Sequence, residues 1–411
     1  MNVYFYFLLI RIAALFGHEK ARLLVAGQRQ TREAFGHDLP ALSGAVWVHA
    51  ASVGEFEQAR PIIERLKEEN ARKKVVVTFF SPSGYEARKN YNQADGVYYL
   101  PFATRRNAKR FLDALQPSMA IFVKYEFWPA YLRELKRRAI PAYSICAIFR
   151  PGQLFFRPWG HRHLSLLNCF TRIFVQDTAS EQLLRAHGIG HVTVAGDTRF
   201  DRMAQIAERP ADPRLELVRA FVQGAEQVIV AGSTWPKDEE LLVQYITDDQ
   251  RLTTNDQRFK LILVPHEMDD KHLHFIFNLL QGRMVRFSRA NEVNVKQAQV
   301  LVVDTMGLLS QIYQFGQVAY IGGGFGVGIH NTIEAAVWGK PVLFGPNYLH
   351  FREAKGLIAA GAARSISNYK ELASALDTAL AHSPEIGAKA SAYVASELGA
   401  TEKIYKEIFK N

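Results

Sequence analysis

The stretch VAYIGGGFGVGIHNTIE, residues 318–334, decides how the chain is read. Val318–Ile321 suits a buried strand, five glycines follow within seven residues, and a helical pattern starts near Asn331. A strand that turns into a helix through glycines is the repeating unit of parallel α/β sheets. Such glycines let backbone approach the phosphate of a ligand closely. Two familiar nucleotide loops are excluded. No acidic ribose ligand follows about twenty residues on after a second strand, and GK[ST] is missing.

Working outward, the same alternation fills the chain. Strands are expected at Val46–His49, Val75–Phe79, Met119–Val123, Pro141–Ile145, Arg172–Val175 and Val192–Val194. Helical patterns lie between them at Ala59–Glu68, Ala108–Leu115, Trp128–Lys136 and Ala179–His187. A second series follows at Gln227–Ala231, Leu261–Val264, Val300–Val303, Val318–Ile321 and Pro341–Phe344. The stretch 200–213, with two prolines and no apolar periodicity, reads as a linker. The expectation is α/β: two doubly wound, Rossmann-like domains, residues 31–205 and 206–411, behind an N-terminal segment 1–30. Such sheets bind ligands at the carboxyl ends of their strands, so a cleft between the domains is the expected site.

Composition narrows the partners. The 411 residues are 48% hydrophobic and 22% charged, which excludes disordered and collagen-like chains. Two cysteines, Cys146 and Cys169, exclude a disulfide framework, and no CxxC or paired Cys/His zinc pattern occurs. Net charge is +10, and all the excess lies in the first half: residues 1–200 carry 28 Lys+Arg against 16 Asp+Glu, residues 201–411 carry 22 against 24. A basic half favours an anionic partner. Residues 2–16, NVYFYFLLIRIAALF, are almost wholly apolar, and Lys20, Arg22 and Arg29 follow. At ~1.5 Å per residue, such a helix is short for a hydrocarbon core of about 30 Å. It lacks a basic leading region and an A-x-A cleavage site, against a secretory signal. An interfacial helix beside lipid headgroups is expected, and a nucleic-acid partner is not.

Three strand-to-helix junctions carry candidate chemistry. The first, HAASVGE at 49–55, places Ser52 and Glu55 as a capping box, with Glu55 also a candidate base. The second holds Gly232, Ser233 and Thr234 as a turn offering N–H groups and hydroxyls to an anion. In the third, Gly323, Gly324 and Phe325 approach a phosphate, and Glu334 reaches ribose hydroxyls. No carboxylate cluster with metal spacing is evident, so no metal cofactor is expected.

Taken in order, Ser-Val-Gly-Glu, Gly-Ser-Thr and the late Gly-Gly-x-Phe with His-Asn-x-x-Glu resemble the Kdo (3-deoxy-D-manno-octulosonic acid) transferases of lipopolysaccharide synthesis. Matching segments are Glu126-Phe127-Trp128-Pro129, Ala195–Asp201, Val264-Pro265-His266 and Asp304-Thr305-Met306-Gly307. The resemblance covers nearly the whole chain. It implies the GT-B fold, two facing Rossmann-like domains, and inverting transfer of Kdo from CMP-Kdo to the 6′-hydroxyl of a lipid A precursor at the cytoplasmic face of the inner membrane. It implies Glu55 as general base and Arg199 as a cation aiding the transition state. It implies Pro265, His266, Met306, Gly307, Leu308, Asn331, Thr332, Ile333 and Glu334 as nucleotide contacts. Three departures stand out. Lys124 sits where the family often has the first Glu of Glu-x-Glu-x-Trp-Pro, and is a candidate catalytic residue of unassigned role. Leu308 replaces a common Glu, and Pro265-His266 lacks an intervening Arg. Two other readings remain open: a transferase using a UDP-sugar, and a non-catalytic, membrane-docked nucleotide-binding protein. Candidate acceptor contacts are Arg105, Arg106, Lys109 and Arg110, with Phe155, Phe156 and Trp159 near acyl chains.

Overall fold

The computed structural model describes residues 3–248, 259–326 and 328–410. The chain divides into two compact units: one runs to Arg202 and resumes at Leu398, the other spans Met203–Glu397.

The first unit is built on seven parallel strands. They are β1 Val46–Ala50, β2 Val75–Phe79, β3 Gly96–Tyr99, β4 Met119–Val123, β5 Ala142–Ala147, β6 Arg172–Val175 and β7 Val192–Val194. Their order is β3-β2-β1-β4-β5-β6-β7. Successive strand residues point to opposite faces, and here both faces are covered, so the strands read as mostly apolar runs. Trp47, Val76, Ala120 and Phe122 join one core, with Phe111 and Tyr131 from helices. Val46, Val48, Val77, Ile121 and Val123 join the other, with Phe56 and Ile62 from the helix Val53–Glu69.

The second unit repeats the plan. Its strands are β8 Gln227–Thr234, β9 Phe259–Pro265, β10 Val285–Arg286, β11 Val300–Val302, β12 Val318–Ile321, β13 Val342–Phe344 and β14 Ala363–Ser365, in the order β10-β11-β9-β8-β12-β13-β14, all parallel. In each sheet the order reverses beside the first strand, between β1 and β4 and between β8 and β12. The crevice outside such a reversal, at the carboxyl ends, is where open α/β sheets take ligands.

Three sequence expectations change. The stretch 200–213 is no simple linker: the helix Thr198–Glu208 occupies much of it, with Phe200, Arg202 and Met203 buried, and the unit boundary falls inside that helix. The expected domain 206–411 gives its end back to the first unit. There Ile404, Tyr405 and Ile408 of the helix Ala400–Phe409 enter the core beside Val48, and Asp201 accepts from the Gly399 and Thr401 amides at 2.7 Å each. Strands β3, β10 and β14 were unexpected; each lies at a sheet edge with most of its residues only half-buried.

At the N-terminus, the apolar stretch forms the helix Val3–Leu15, followed by Glu19–Glu33. Phe7 is buried, its ring 3.8 Å from that of Phe102, whereas Phe5, Leu8, Leu9, Ile12, Leu15 and Phe16 are exposed. Among the described residues no helix is long and apolar enough to cross a membrane.

Candidate active site

In the first unit, β1 delivers the chain to the switch point and Ser52 starts the next helix. Ser52 Oγ accepts from the Glu55 amide at 3.4 Å. The reciprocal half of the expected capping box is shifted by one residue: Glu55 Oε2 accepts from the Ala51 amide at 2.7 Å. One carboxylate oxygen is thus fixed, while Oε1 has no hydrogen-bond partner among the described residues. Burial raises the Glu55 pKa, as does the Glu126 carboxylate; the Ala51 amide, Lys124 and His49 oppose them without winning.

Glu126 follows β4 and is locked. Its Oε2 lies 3.0 Å from His49 Nε2 and accepts from Trp128 Nε1 at 2.6 Å. His49 is fully buried, and its Nδ1 lies 2.9 Å from Thr78 Oγ1, which accepts from Trp47 Nε1 at 2.8 Å. Nδ1 also lies 3.0 Å from the Thr78 carbonyl oxygen and Nε2 lies 2.9 Å from Trp128 Nε1, so polar partners enclose both ring nitrogens. His49 and Trp128 thereby hold a second carboxylate beside the first. In the sequence, Glu126-Phe127-Trp128-Pro129 stands out only by its resemblance to the family segment. Its partner His49 was hidden because a buried strand histidine gives no pattern of its own.

The two candidate cations behave differently. Arg199 Nε and Nη2 donate to Asp197 Oδ2 at 2.9 and 2.7 Å, and Gln58 donates to Oδ1 at 2.8 Å. Burial alone would raise the Asp197 pKa; Arg199, Gln58 and Lys124 overcome it and hold it at about 2. The Arg199 guanidinium is therefore committed to Asp197. Lys124 follows β4 directly with φ +52°, a left-handed conformation unusual for lysine.

In the second unit, Gly232, Ser233 and Thr234 lie within β8, not in a turn after it, with a register shift at the left-handed Ser233. Thr234 is buried and its hydroxyl donates to Glu239 at 2.8 Å. The glycine run after β12 is packed against this strand end. A Cβ on Gly322 would lie 2.2 Å from the Ser233 carbonyl oxygen. Gly323 has φ +90°, and its amide is spent on Asp238 Oδ2 at 2.9 Å. Asp238 was missed from sequence. Fully buried, it also accepts from the Trp235 amide at 3.0 Å and the Tyr320 hydroxyl at 2.7 Å, so it ties the two turns together. The amides of Gly324 and Phe325 have no acceptor among the described residues.

Around this turn sit three rings. His266 is exposed, stacked on Trp235 with centroids 4.9 Å apart, and 4.3 Å from His330. Burial and His266 push the His330 pKa down to about 4, so the ring is neutral near pH 7 and accepts from Trp235 Nε1 at 3.3 Å. Met306 is exposed beside Gly307 at φ +87°. Other expected contacts are corrected. The side chains of Leu308 and Ile333 are buried in packing, as is Pro265, whereas the buried Thr332 hydroxyl oxygen has no hydrogen-bond partner among the described residues. Asn331 Nδ2 donates to Glu334 Oε1 at 3.1 Å. The helix expected from Asn331 is a single turn, Ile333–Ala336. Phe325 packs partly against the second unit's core. In the first unit, Phe155 and Phe156 pack on the core while Trp159 is exposed under Arg157.

Comparison with known proteins follows the same lines. Residues 20–202 match the family described as 3-deoxy-D-manno-octulosonic-acid transferase (kdotransferase). The 3-deoxy-D-manno-octulosonic acid transferase of Aquifex aeolicus is 28% identical over 346 residues, covering 84% of this chain and 88% of that protein. The enzyme of the same name from Chlamydia trachomatis serovar A is 29% identical over 332 residues, covering 76% and 73%. Among solved structures, the UDP-GlcNAc 2-epimerase of Neisseria meningitidis superposes with a TM-score of 0.63 at 16% identity, covering 89% of this chain and 100% of that one. The kitacinnamycin glycosyltransferase gives 0.55 at 15%, covering 90% and 99%. These structural likenesses speak to fold, which is GT-B in type. Motif order, paired switch points and sequence similarity agree in likening the chain to the Kdo transferases, a family of glycosyltransferases.

Proposed function

We propose that the chain transfers Kdo from CMP-Kdo to the 6′-hydroxyl of a lipid A precursor, with inversion at the anomeric carbon. The observation that carries this reading is Glu55: a half-buried carboxylate at the first sheet's switch point, one oxygen held by Ala51 and the other without a partner among the described residues. Glu55 takes the proton of the acceptor hydroxyl. The oxygen attacks the anomeric carbon, that carbon's bond to the cytidylate oxygen breaks, and CMP leaves with the electron pair. The amides of Gly324 and Phe325 meet the charge growing on the phosphate as fixed dipoles that need not reorganise. The exposed His266 ring offers a face to the base. The reading includes no metal cofactor.

The raised pKa of Glu55 fixes a pH signature. The base works only when ionised, and it is protonated as pH falls through its raised pKa. The acid limb of kcat/KM is therefore expected above the ordinary glutamate value of about 4.3. Glu126→Gln removes the neighbouring negative charge and moves that limb to lower pH. A limb unmoved by Glu126→Gln would separate it from Glu55.

The reading also places the N-terminal helix on the inner membrane. The exposed Phe5, Leu8, Leu9 and Ile12 enter the acyl boundary, and Arg11, Lys20 and Arg22, all exposed, meet anionic headgroups. Leu8→Asp with Ile12→Asp is expected to cut co-sedimentation with anionic vesicles at least about tenfold, given the cost of inserting charge there, while turnover of detergent-dispersed acceptor persists. Unchanged co-sedimentation would reject this placement. Transfer itself is tested by supplying CMP-Kdo and a tetraacyl lipid A precursor and weighing the product; transfer from a UDP-sugar instead would favour the rival donor.

A further inference from the structure

Lys124 has a place in the site and, so far, no task. β1 and β4 pair in register up to His49 opposite Phe122. Ala51 and Lys124 follow directly where these two neighbouring strands end. Ala51 is the residue whose amide holds Glu55. Lys124 therefore stands beside the proposed base, in a left-handed backbone conformation that an L-residue seldom keeps without a use. Its charge is felt by both Glu55 and Asp197. Yet no carboxylate lies within ion-pair distance of its ammonium among the described residues. Arg199, the other cation nearby, is spent on Asp197.

The chemistry of the donor supplies the missing anion. On the reading above, the transferred sugar is a 2-ulosonic acid, with a carboxylate bonded directly to the carbon under attack. The acceptor oxygen must come within about 3 Å of Glu55 to give up its proton. The attacked carbon must lie within about 3.5 Å of that oxygen. The carboxylate is one bond further, so it enters a region already holding Glu55 and Glu126. Three negative groups so close repel unless a cation sits among them.

We propose that Lys124 binds the carboxylate on the reacting carbon of the donor sugar, and so selects a sugar acid over a neutral sugar. This rests on the proposed function, and the test separates the two. Glu55→Gln is used as the parent because it binds donor without consuming it. Calorimetric titration with CMP-Kdo and with CMP, which lacks the carboxylate, is repeated on Glu55→Gln with Lys124→Met and with Lys124→Arg. The methionine is expected to weaken CMP-Kdo at least about tenfold, the range of one charge-assisted bond, and to leave CMP within about twofold. Arginine is expected to recover most of the loss, and unchanged CMP binding reports a folded protein. If Lys124→Met weakens both ligands alike, or neither, the assignment of Lys124 is overturned. If the parent binds CMP no better than UDP, and CMP-Kdo no better than CMP, the donor reading itself fails.

Discussion

Glu55→Gln is expected to fold as the native chain does and to lose Kdo transfer by about 10²–10⁴ in kcat, the usual worth of a positioned base. The local geometry makes this a clean substitution. A glutamine oxygen can still accept from the Ala51 amide, the 2.7 Å contact that fixes the side chain, and Ser52 still caps the helix. What disappears is the capacity to accept a proton at the second oxygen. The neighbours argue for the same role. Glu126 is pinned by His49 and Trp128, and its charge helps raise the Glu55 pKa, which makes Glu55 a better proton acceptor than an exposed glutamate. Donor affinity should change little, because no donor-binding element is touched. Activity within about tenfold of the native chain would remove Glu55 from the base role.

Gly322→Ala is expected to damage the second unit through backbone alone. The added Cβ would lie 2.2 Å from the Ser233 oxygen and 2.6 Å from Thr234 Cα, and neither belongs to a flexible side chain. Gly322 also donates to Gly232 O at 2.9 Å, and its own carbonyl accepts from the His330 amide at 3.2 Å. Relief requires β8 and the glycine turn to part, which breaks the bracing of Gly323 by Asp238. The cost of overpacking at such a site is about 1–3 kcal/mol. CMP affinity should fall at least about tenfold, since the amides of Gly324 and Phe325 move with the turn. Calorimetry with CMP and a urea melt check both. CMP binding within about twofold of the native chain would show that this turn does not hold the nucleotide.

How far the sequence could be read follows from burial. Strands covered on both faces, such as Val75–Phe79 and Met119–Val123, were legible to the residue because every position but Thr78 is apolar. The edge strands β3, β10 and β14 lack that signal, since water reaches them. The helix through 200–208 was missed because much of what fixes it is distant. Asp201 caps the helix Ala400–Phe409, and the buried Arg202 pairs with Glu64 at 3.0 Å. The positions of Glu55 and the glycine run at strand-to-helix junctions were legible. The site was not legible where residues act through others. Asp238 and His49 read as an ordinary helix-start acid and a strand histidine, and only the fold brings Asp238 to Gly323 and His49 to Glu126. Leu308 and Ile333 were carried over by resemblance, and their burial returns them to the core.

The most direct trial of the central claim mixes the native chain and Glu55→Gln, separately, with CMP-Kdo and tetraacyl lipid A precursor, and follows product by mass spectrometry alongside released CMP. The account predicts Kdo-bearing lipid and matching CMP from the native chain, and almost none of either from the variant. Lipid left unmodified by the native chain, or glycosylated equally well by both proteins, would contradict it.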